Sequence, residues 1–241
     1  MATKHGEGMF LPGFREEFRR PSADVIEKLK EVTAATTWAM LNRFTGGRGD
    51  EYFMEHVRPL DPLHRCAGSA LTISYRPFDA TGQRSAASDF FSFDDPVLAQ
   101  QFRNYHATLN RAWSCLRDGD VLVAEGHGFS DVGQFGDCLL TCFKAKGAAG
   151  LVTDATVRDG RHILAREIPV FTGGPPVPGA LMHISRDGTG RGLVAVDVNT
   201  PIMCDGVCVR PGDVVVADTD GVMVIPLEVA DRVAELGEAQ G

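Results

Sequence analysis

Apolar and polar positions alternate along this chain in two rhythms, and the switches between them outline its elements. Near the start, Ser22 precedes Asp24 and an apolar stripe of Val25, Ile26 and Leu29. That spacing predicts a helix whose first free N–H groups the serine can cap. A second helical stretch is predicted over residues 34–44, stopping at Gly46-Gly47. Residues 68–75 (GSALTISY) carry the β-branched and aromatic content of a strand. Residues 76–95 read as loop, unusually rich in Phe and Asp. Residues 96–115 return to helical spacing, with Val97, Leu98, Phe102 and Tyr105 on one side.

From residue 120 the pattern tightens. DVLVAE (120–125) is almost wholly apolar, the mark of a strand covered on both faces. A glycine-rich loop runs from Gly126 to Gly136, and DCLLTCFKAK (137–146) has helical periodicity up to Gly147. GLVTD (150–154) is a second strand leading to Arg158-Asp159. Such strand–helix–strand units place their strands in parallel with a right-handed crossover. Shorter strands are predicted at 169–171, 193–198, 207–209, 214–217 and 221–225, with turns at 210–213 and 218–221. A last helix is expected over 228–236. No repeat interrupts the pattern. The expectation is a polar arm over 1–20 and a single α/β domain over 21–241.

Charge narrows the function. The 241 residues hold 24 Lys and Arg against 32 Asp and Glu, a net charge of -8. A nucleic-acid protein needs a concentrated basic face, and the one basic cluster (Arg15, Arg19, Arg20) is interleaved with Glu16 and Glu17, which reads as a solvated surface. No apolar run is long enough to span a bilayer, and residues 1–20 lack the apolar centre of an export signal. A cytoplasmic protein with free thiols at Cys66, Cys115, Cys138, Cys142, Cys204 and Cys208 is expected. Cys138, Cys142, Cys204 and Cys208 are expected to be buried or half-buried. Cys138, at a helix start, is expected to have some thiolate character and to be sensitive to alkylation. Trp38 and Trp113 are expected in the core.

The chemistry should lie beyond the carboxyl ends of the parallel strands. Two stretches converge there: the loop ending in Gly136-Asp137, and Arg158-Asp159. The helix start offers unpaired amides at Cys138 and Leu139 and the positive end of the helix dipole, and Gly136 lets backbone approach an anion. Arg158 suits a carboxylate; Asp159 suits a hard cation such as Mg²⁺. An α-keto acid presents a carboxylate and a ketone oxygen to one cation, which stabilises the enolate left when the adjacent C–C bond breaks. The plainer readings are a local Arg158–Asp159 ion pair and Asp137 as a helix cap. His127 and Asp131 fit either substrate contacts or loop caps. The glycines match neither a dinucleotide fingerprint nor a P-loop.

At these residues the chain resembles the RraA-like family, which includes a regulator of ribonuclease activity and 4-hydroxy-4-methyl-2-oxoglutarate aldolases. The resemblance is most specific in GDCLLTCFKAKGAAGLVTDATVRD (136–159) and GVCVRPGDVVVADTDGVMVIP (206–226), with support from TAATTWAML (33–41) and GSALTISY. It implies a β/β/α fold of the swivelling phosphohistidine-domain type, assembled as trimers or hexamers with sites between subunits. It also implies Mg²⁺ or Mn²⁺ on Asp159, a substrate carboxylate on Arg158, pyruvate contacts from the amides of Cys138 and Leu139, and Asp137 beside the metal's water. An acid from the neighbouring subunit is expected near the C-terminus, with Glu228 and Glu235 as candidates. The chain departs from the aldolase pattern at His162, where an acid stands in the family. A histidine there could still accept a hydrogen bond from that water.

Three functions follow. The first is a metal-dependent lyase that cleaves a 4-hydroxy-2-oxo or β-keto dicarboxylic acid, such as 4-hydroxy-4-methyl-2-oxoglutarate or oxaloacetate, to pyruvate. The second is a non-catalytic regulator that binds a ribonuclease or another protein. The third is an isomerase or dehydratase that uses the same enolate chemistry on a larger acid.

Overall fold

Long-range pairing joins the local rhythms into a large mixed sheet flanked by helices, with two short two-stranded sheets, Gly133–Phe135 with Thr156–Val157 and Ile202–Cys204 with Val207–Val209, beside it. The computed structural model describes residues 17–81, 96–179, 182–184 and 189–238. In chain order the elements are α1 (Ala23–Lys30), α2 (Ala34–Thr45), β1 (Phe53–Met54), β2 (Arg58–Pro59), β3 (Cys66–Thr81), α3 (Pro96–Cys115), β4 (Asp120–Ala124), β5 (Gly133–Phe135), α4 (Asp137–Ala145), β6 (Gly150–Thr153), β7 (Thr156–Val157), α5 (Gly160–Ala165), β8 (Val170–Thr172), β9 (Met182–Ile184), β10 (Thr189–Val198), β11 (Ile202–Cys204), β12 (Val207–Val209), β13 (Val214–Asp218), β14 (Gly221–Ile225) and α6 (Ala230–Glu238). Single 3-10 turns lie at Gly49–Tyr52 and Leu227–Val229.

The main sheet runs β1-β14-β13-β3-β4-β6-β8-β2. Its centre, β3-β4-β6-β8, is parallel, and α3, α4 and α5 lie on the connections between those strands. β4 shows why its sequence is nearly all apolar. Val121 and Val123 face a core with Ala70, Val152 and Phe171, whereas Leu122 and Ala124 face another with Leu71, Ile73, Leu140 and Phe143. Each large apolar side chain buried this way contributes about 1.5–3 kcal/mol, so this centre can hold rigid the polar loops at its edge. A third core packs α1, α2 and α6 on β13 and β14 through Leu29, Leu41, Val214, Met223 and Val233.

The helix caps follow the sequence. The Ser22 hydroxyl accepts from the Val25 amide at 3.3 Å, and Thr33 accepts from Thr36 at 3.1 Å. Gly46 ends α2 in the left-handed region at φ 68°, where glycine pays no Cβ penalty.

Several expectations need correction. The strand expected over 68–75 extends to Thr81, because residues 73–81 pair antiparallel with β10. That partner lies more than a hundred residues away, so the local pattern read 76–81 as loop. Residues 82–95, and the side chains of Val97, Leu98, Phe102 and Tyr105, lie outside the described residues. Of the arm, residues 1–16 lie outside them too. Arg20, however, is no solvated charge: its Nε and one terminal nitrogen bond the two oxygens of buried Asp120 at 2.8 and 2.7 Å, and that nitrogen also reaches the Cys115 carbonyl. Trp38 and Trp113 are 37% and 39% exposed rather than core. Trp38 donates to Asp50, and the Trp113 ring meets both Phe143 and the Lys146 ammonium. Cys138, Cys142 and Cys208 are exposed, against expectation, and only Cys204 of that foursome is buried.

Two outcomes follow from these contacts. Arg20→Ala leaves the Asp120 carboxylate buried without its counter-charge and is expected to cost about 3 kcal/mol, read as a lower urea midpoint at unchanged slope; an unchanged midpoint would show that the pair carries no stability. The second concerns exposed His56, whose Nδ1 lies 2.9 Å from Asp205, with the His56 amide bonding the same carboxylate. That hydrogen bond, aided by the Asp205 charge, raises the imidazole above its ordinary value. The sign follows: the contribution is full below the unfolded value of about 6.5 and is lost as pH rises through the raised folded value. Melting curves across this window should show that loss in the wild type and not in Asp205→Asn.

Candidate functional site

Two loops leave the carboxyl ends of β4 and β6, and short parallel pairing clips them together. β5 lies beside β7, with Gly133 opposite Thr156 and Phe135 opposite Val157. The clip closes where the Arg158 amide donates to the Phe135 carbonyl at 2.9 Å, and Thr156 Oγ1 donates to the Val132 carbonyl at 2.9 Å. The next residue on one side is Gly136, the N-cap of α4; on the other it is Asp159, which precedes α5. A Cβ at Gly136 would stand 2.8 Å from Arg158 Nε and 2.9 Å from Asp159 Oδ2. The guanidinium, the carboxylate and the start of α4 therefore share one small region, and glycine is the residue that leaves them room.

Within it, Arg158 Nε lies 3.3 Å from Asp159 Oδ2, with both side chains roughly half exposed. The local ion pair of the plainer reading thus exists, yet it stands against the helix start rather than apart from it. Asp159 adopts the left-handed conformation at φ 62°, which aspartate tolerates better than most residues. Gly160, directly after it, packs against Pro176. Cys138 and Leu139 occupy the first turn of α4, where backbone N–H groups lack helical partners.

Asp137 is nearly buried, and its Oδ2 lies 3.2 Å from an Arg166 terminal nitrogen and 3.7 Å from His162 Nδ1. The same Arg166 nitrogen donates to the His162 carbonyl at 3.0 Å. Asp137 and His162, two of the residues expected at the site, are thus brought together. Arg166 is the residue that sequence reasoning missed. Its signal was its place at the end of the short helix after Arg158-Asp159, a helix too brief to stand out by periodicity.

Other candidates fall elsewhere. His127 places Nε2 2.8 Å from the Tyr75 carbonyl, close to a cluster in which buried Glu125 accepts from Ser74, the Tyr75 amide and Arg76. Asp154 accepts from the amides of Gly126 and Gly128 and shapes the glycine-rich loop. Asp131 is exposed. Glu228, in the 3-10 turn before α6, and Glu235, on α6, are both exposed, and α6 packs on α1 and α2 rather than on α4. Asp213 acts as a turn determinant, accepting from the Arg210 and Leu227 amides. Among the described residues, no group of three or more His, Cys, Asp or Glu forms a metal cage, and no helix is long and apolar enough to cross a membrane.

A mixed-sheet α/β protein with an amide-rich helix start facing an Arg-Asp dipeptide is the class this geometry defines. The family model described as RraA-like, Aldolase/RraA, matches residues 22–224, and the chain belongs to the RraA-like family. A Halalkalibacterium halodurans protein called "Putative 4-hydroxy-4-methyl-2-oxoglutarate aldolase" is 38% identical over 108 residues, which is 45% of this chain and 47% of that protein. An uncharacterized Methanocaldococcus jannaschii protein is 34% identical over 145 residues, covering 59% of this chain and 64% of that one. These alignments thus span between about half and two thirds of the relatives' lengths. Streptomyces coelicolor RraAS2, described as an unusual member of the RNase ES inhibitor RraA protein family, superposes with a TM-score of 0.69 at 26% identity, over 93% of this chain and 95% of that one. An uncharacterized Pseudomonas syringae protein shares the fold at the same TM-score and 21% identity, over 93% and 86% of the two chains.

Two glycines separate site from scaffold. Gly136→Ala meets side-chain atoms, Arg158 Nε and Cγ and Asp159 Oδ2, and no backbone among its nearest neighbours; it should fold with little change in melting temperature but displace both groups, read as weaker binding of oxalate, a small dicarboxylate, by calorimetry. Gly126→Ala meets Ala155 backbone nitrogen at 2.7 Å and its Cβ at 2.2 Å, so it should lower the melting temperature itself. Equal behaviour of the two variants would contradict this division.

Proposed function

We propose that this protein is a divalent-metal-dependent lyase that cleaves a 4-hydroxy-2-oxo or β-keto dicarboxylic acid to pyruvate, by retro-aldol cleavage or decarboxylation. The observation that carries the reading is the convergence of Arg158, Asp159 and the start of α4 on Gly136.

The donor set bears on the cation. Asp159 offers one half-exposed carboxylate, with no cage of three acidic, histidine or cysteine side chains among the described residues. A single carboxylate fits Mg²⁺ or Mn²⁺ that keeps most of its water, and does not fit a tightly caged structural metal. When bound, such a cation supplies Lewis acidity toward the oxygens of a 2-oxo acid.

The remaining work falls to the chain. Arg158, whose terminal nitrogens have no partner among the described residues, would take the substrate carboxylate through two parallel hydrogen bonds. The Cys138 and Leu139 amides would hold negative charge that grows on the ketone oxygen as the C–C bond breaks. Asp137 is held by Arg166 and His162, and would face its free oxygen toward the reacting region to orient water. The assembly would be a trimer or hexamer with sites between subunits, and exposed Glu228 and Glu235 are the candidates to supply an acid to a neighbour.

The second reading, a regulator that binds another protein, draws on His162 in place of the family acid and on the likeness to RraAS2, described as belonging to an RNase ES inhibitor family. Oxaloacetate with Mg²⁺ or Mn²⁺ decides between them. Pyruvate release should appear, stop with chelator, and fall on the order of 100-fold or more in Asp159→Ala. Full turnover in that variant would remove the lyase reading. A 2-oxo acid panel without any metal-dependent turnover, alongside a stable complex with a ribonuclease, would select the regulator.

A further inference from the structure

The exposed face of α4 carries a chemical group that the lyase reading leaves unused. Leu140 and Phe143 turn inward, while Cys138, Thr141, Cys142 and Ala145 are exposed. Residues four apart on a helix are neighbours, with Cβ atoms about 5–6 Å apart, so the two exposed cysteines occupy adjacent positions one turn apart, within reach of one bridging atom. Thr141 turns its hydroxyl back to the Asp137 carbonyl at 2.7 Å and does not separate them. The other thiols differ. Cys66 is half-buried with its thiol pushed up to about 12 by desolvation, Cys204 is buried and raised well above its ordinary value for the same reason, and Cys115 is buried. Cys208 is exposed, but on β12.

The number of donors selects the occupant. Soft thiolate pairs favour thiophilic acceptors over hard cations, and zinc seeks four ligands. Here no third His, Cys, Asp or Glu joins the pair among the described residues. An acceptor that needs two sulfurs and no more is a monosubstituted trivalent arsenical, whose third bond is already made to carbon.

We propose that Cys138 and Cys142 form a dithiol site for monosubstituted trivalent arsenicals, placed over the first turn of α4. The reaction is an exchange without redox change. Two arsenic–oxygen bonds of the hydrated arsenical break and two arsenic–sulfur bonds form. Each thiol proton leaves with a hydroxide, as two waters in all. Closing the second bond on the same helix is intramolecular, so the chelate gains the effective concentration of a short tether. The site rests on α4 alone, so it stands or falls independently of the lyase reading.

The test is thiol counting with Ellman's reagent on the native protein, before and after one equivalent of phenylarsine oxide. Three thiols should react quickly, those of Cys138, Cys142 and Cys208, and the arsenical should leave one. In Cys208→Ser the count should fall from two to none. Cys138→Ser and Cys142→Ser should each bind the arsenical about 100-fold more weakly. Both positions are exposed, so their folding should survive, and Cys→Ala at each position checks that serine itself is not the cause. Three reactive thiols remaining after the arsenical, or single variants that bind as tightly as the wild type, would overturn the proposal.

Discussion

The hydrogen bond from the Arg158 amide to the Phe135 carbonyl, with the short β5–β7 pairing it completes, is the constraint on which the candidate site depends. Without it, two loops from adjacent parallel strands would end near each other with no fixed register. With it, Gly136 and Arg158-Asp159 are placed as neighbours by backbone bonds, and their side chains need only select rotamers. Backbone placement of this kind is stiffer than contacts between long side chains, which lose rotamer freedom when they are held. The region is therefore fixed by backbone bonds before any side chain selects a rotamer.

Rigidity of the clip comes from below. β4 and β6 are covered on both faces, and their apolar side chains divide between two cores. Gln134 ties the clip to those strands, donating to the Glu125 carbonyl and accepting from Thr153. The sheet edge can then hold Asp159 in a left-handed conformation and set Arg158 beside it. Around Asp137, His162 and Arg166, from the short helix after Arg158-Asp159, both reach its carboxylate. Two groups that can carry positive charge thus approach the one Asp137 carboxylate.

Much of this was legible in the sequence, for identifiable reasons. Ser22, Thr33 and Gly46 bound their helices through local capping chemistry, and β4 declared itself by an apolar run that only a doubly covered strand tolerates. Arg158, Asp159, Gly136 and Asp137 could be named because helix starts and strand ends have fixed chemical properties. The second half of β3 was not legible, since its strand character comes from pairing with distant β10. Arg20 read as one charge in a mixed cluster because nothing local reveals that Asp120 is buried a hundred residues on. The two tryptophans were assigned to the core by size, yet each sits at the rim with its polar or π surface in use.

By itself the sequence determined the α/β class, most helix limits, the strand–helix–strand unit and the residue types that can bind an anion and a hard cation, because each follows from spacing within a few residues. Tertiary structure alone decided that the two loops pair, that Gly136 leaves the room between Arg158 and Asp159, that Arg166 reaches Asp137, and that Cys138 and Cys142 face outward. Those depend on which distant backbone groups find each other once both faces of the sheet are covered, and no local pattern carries that information.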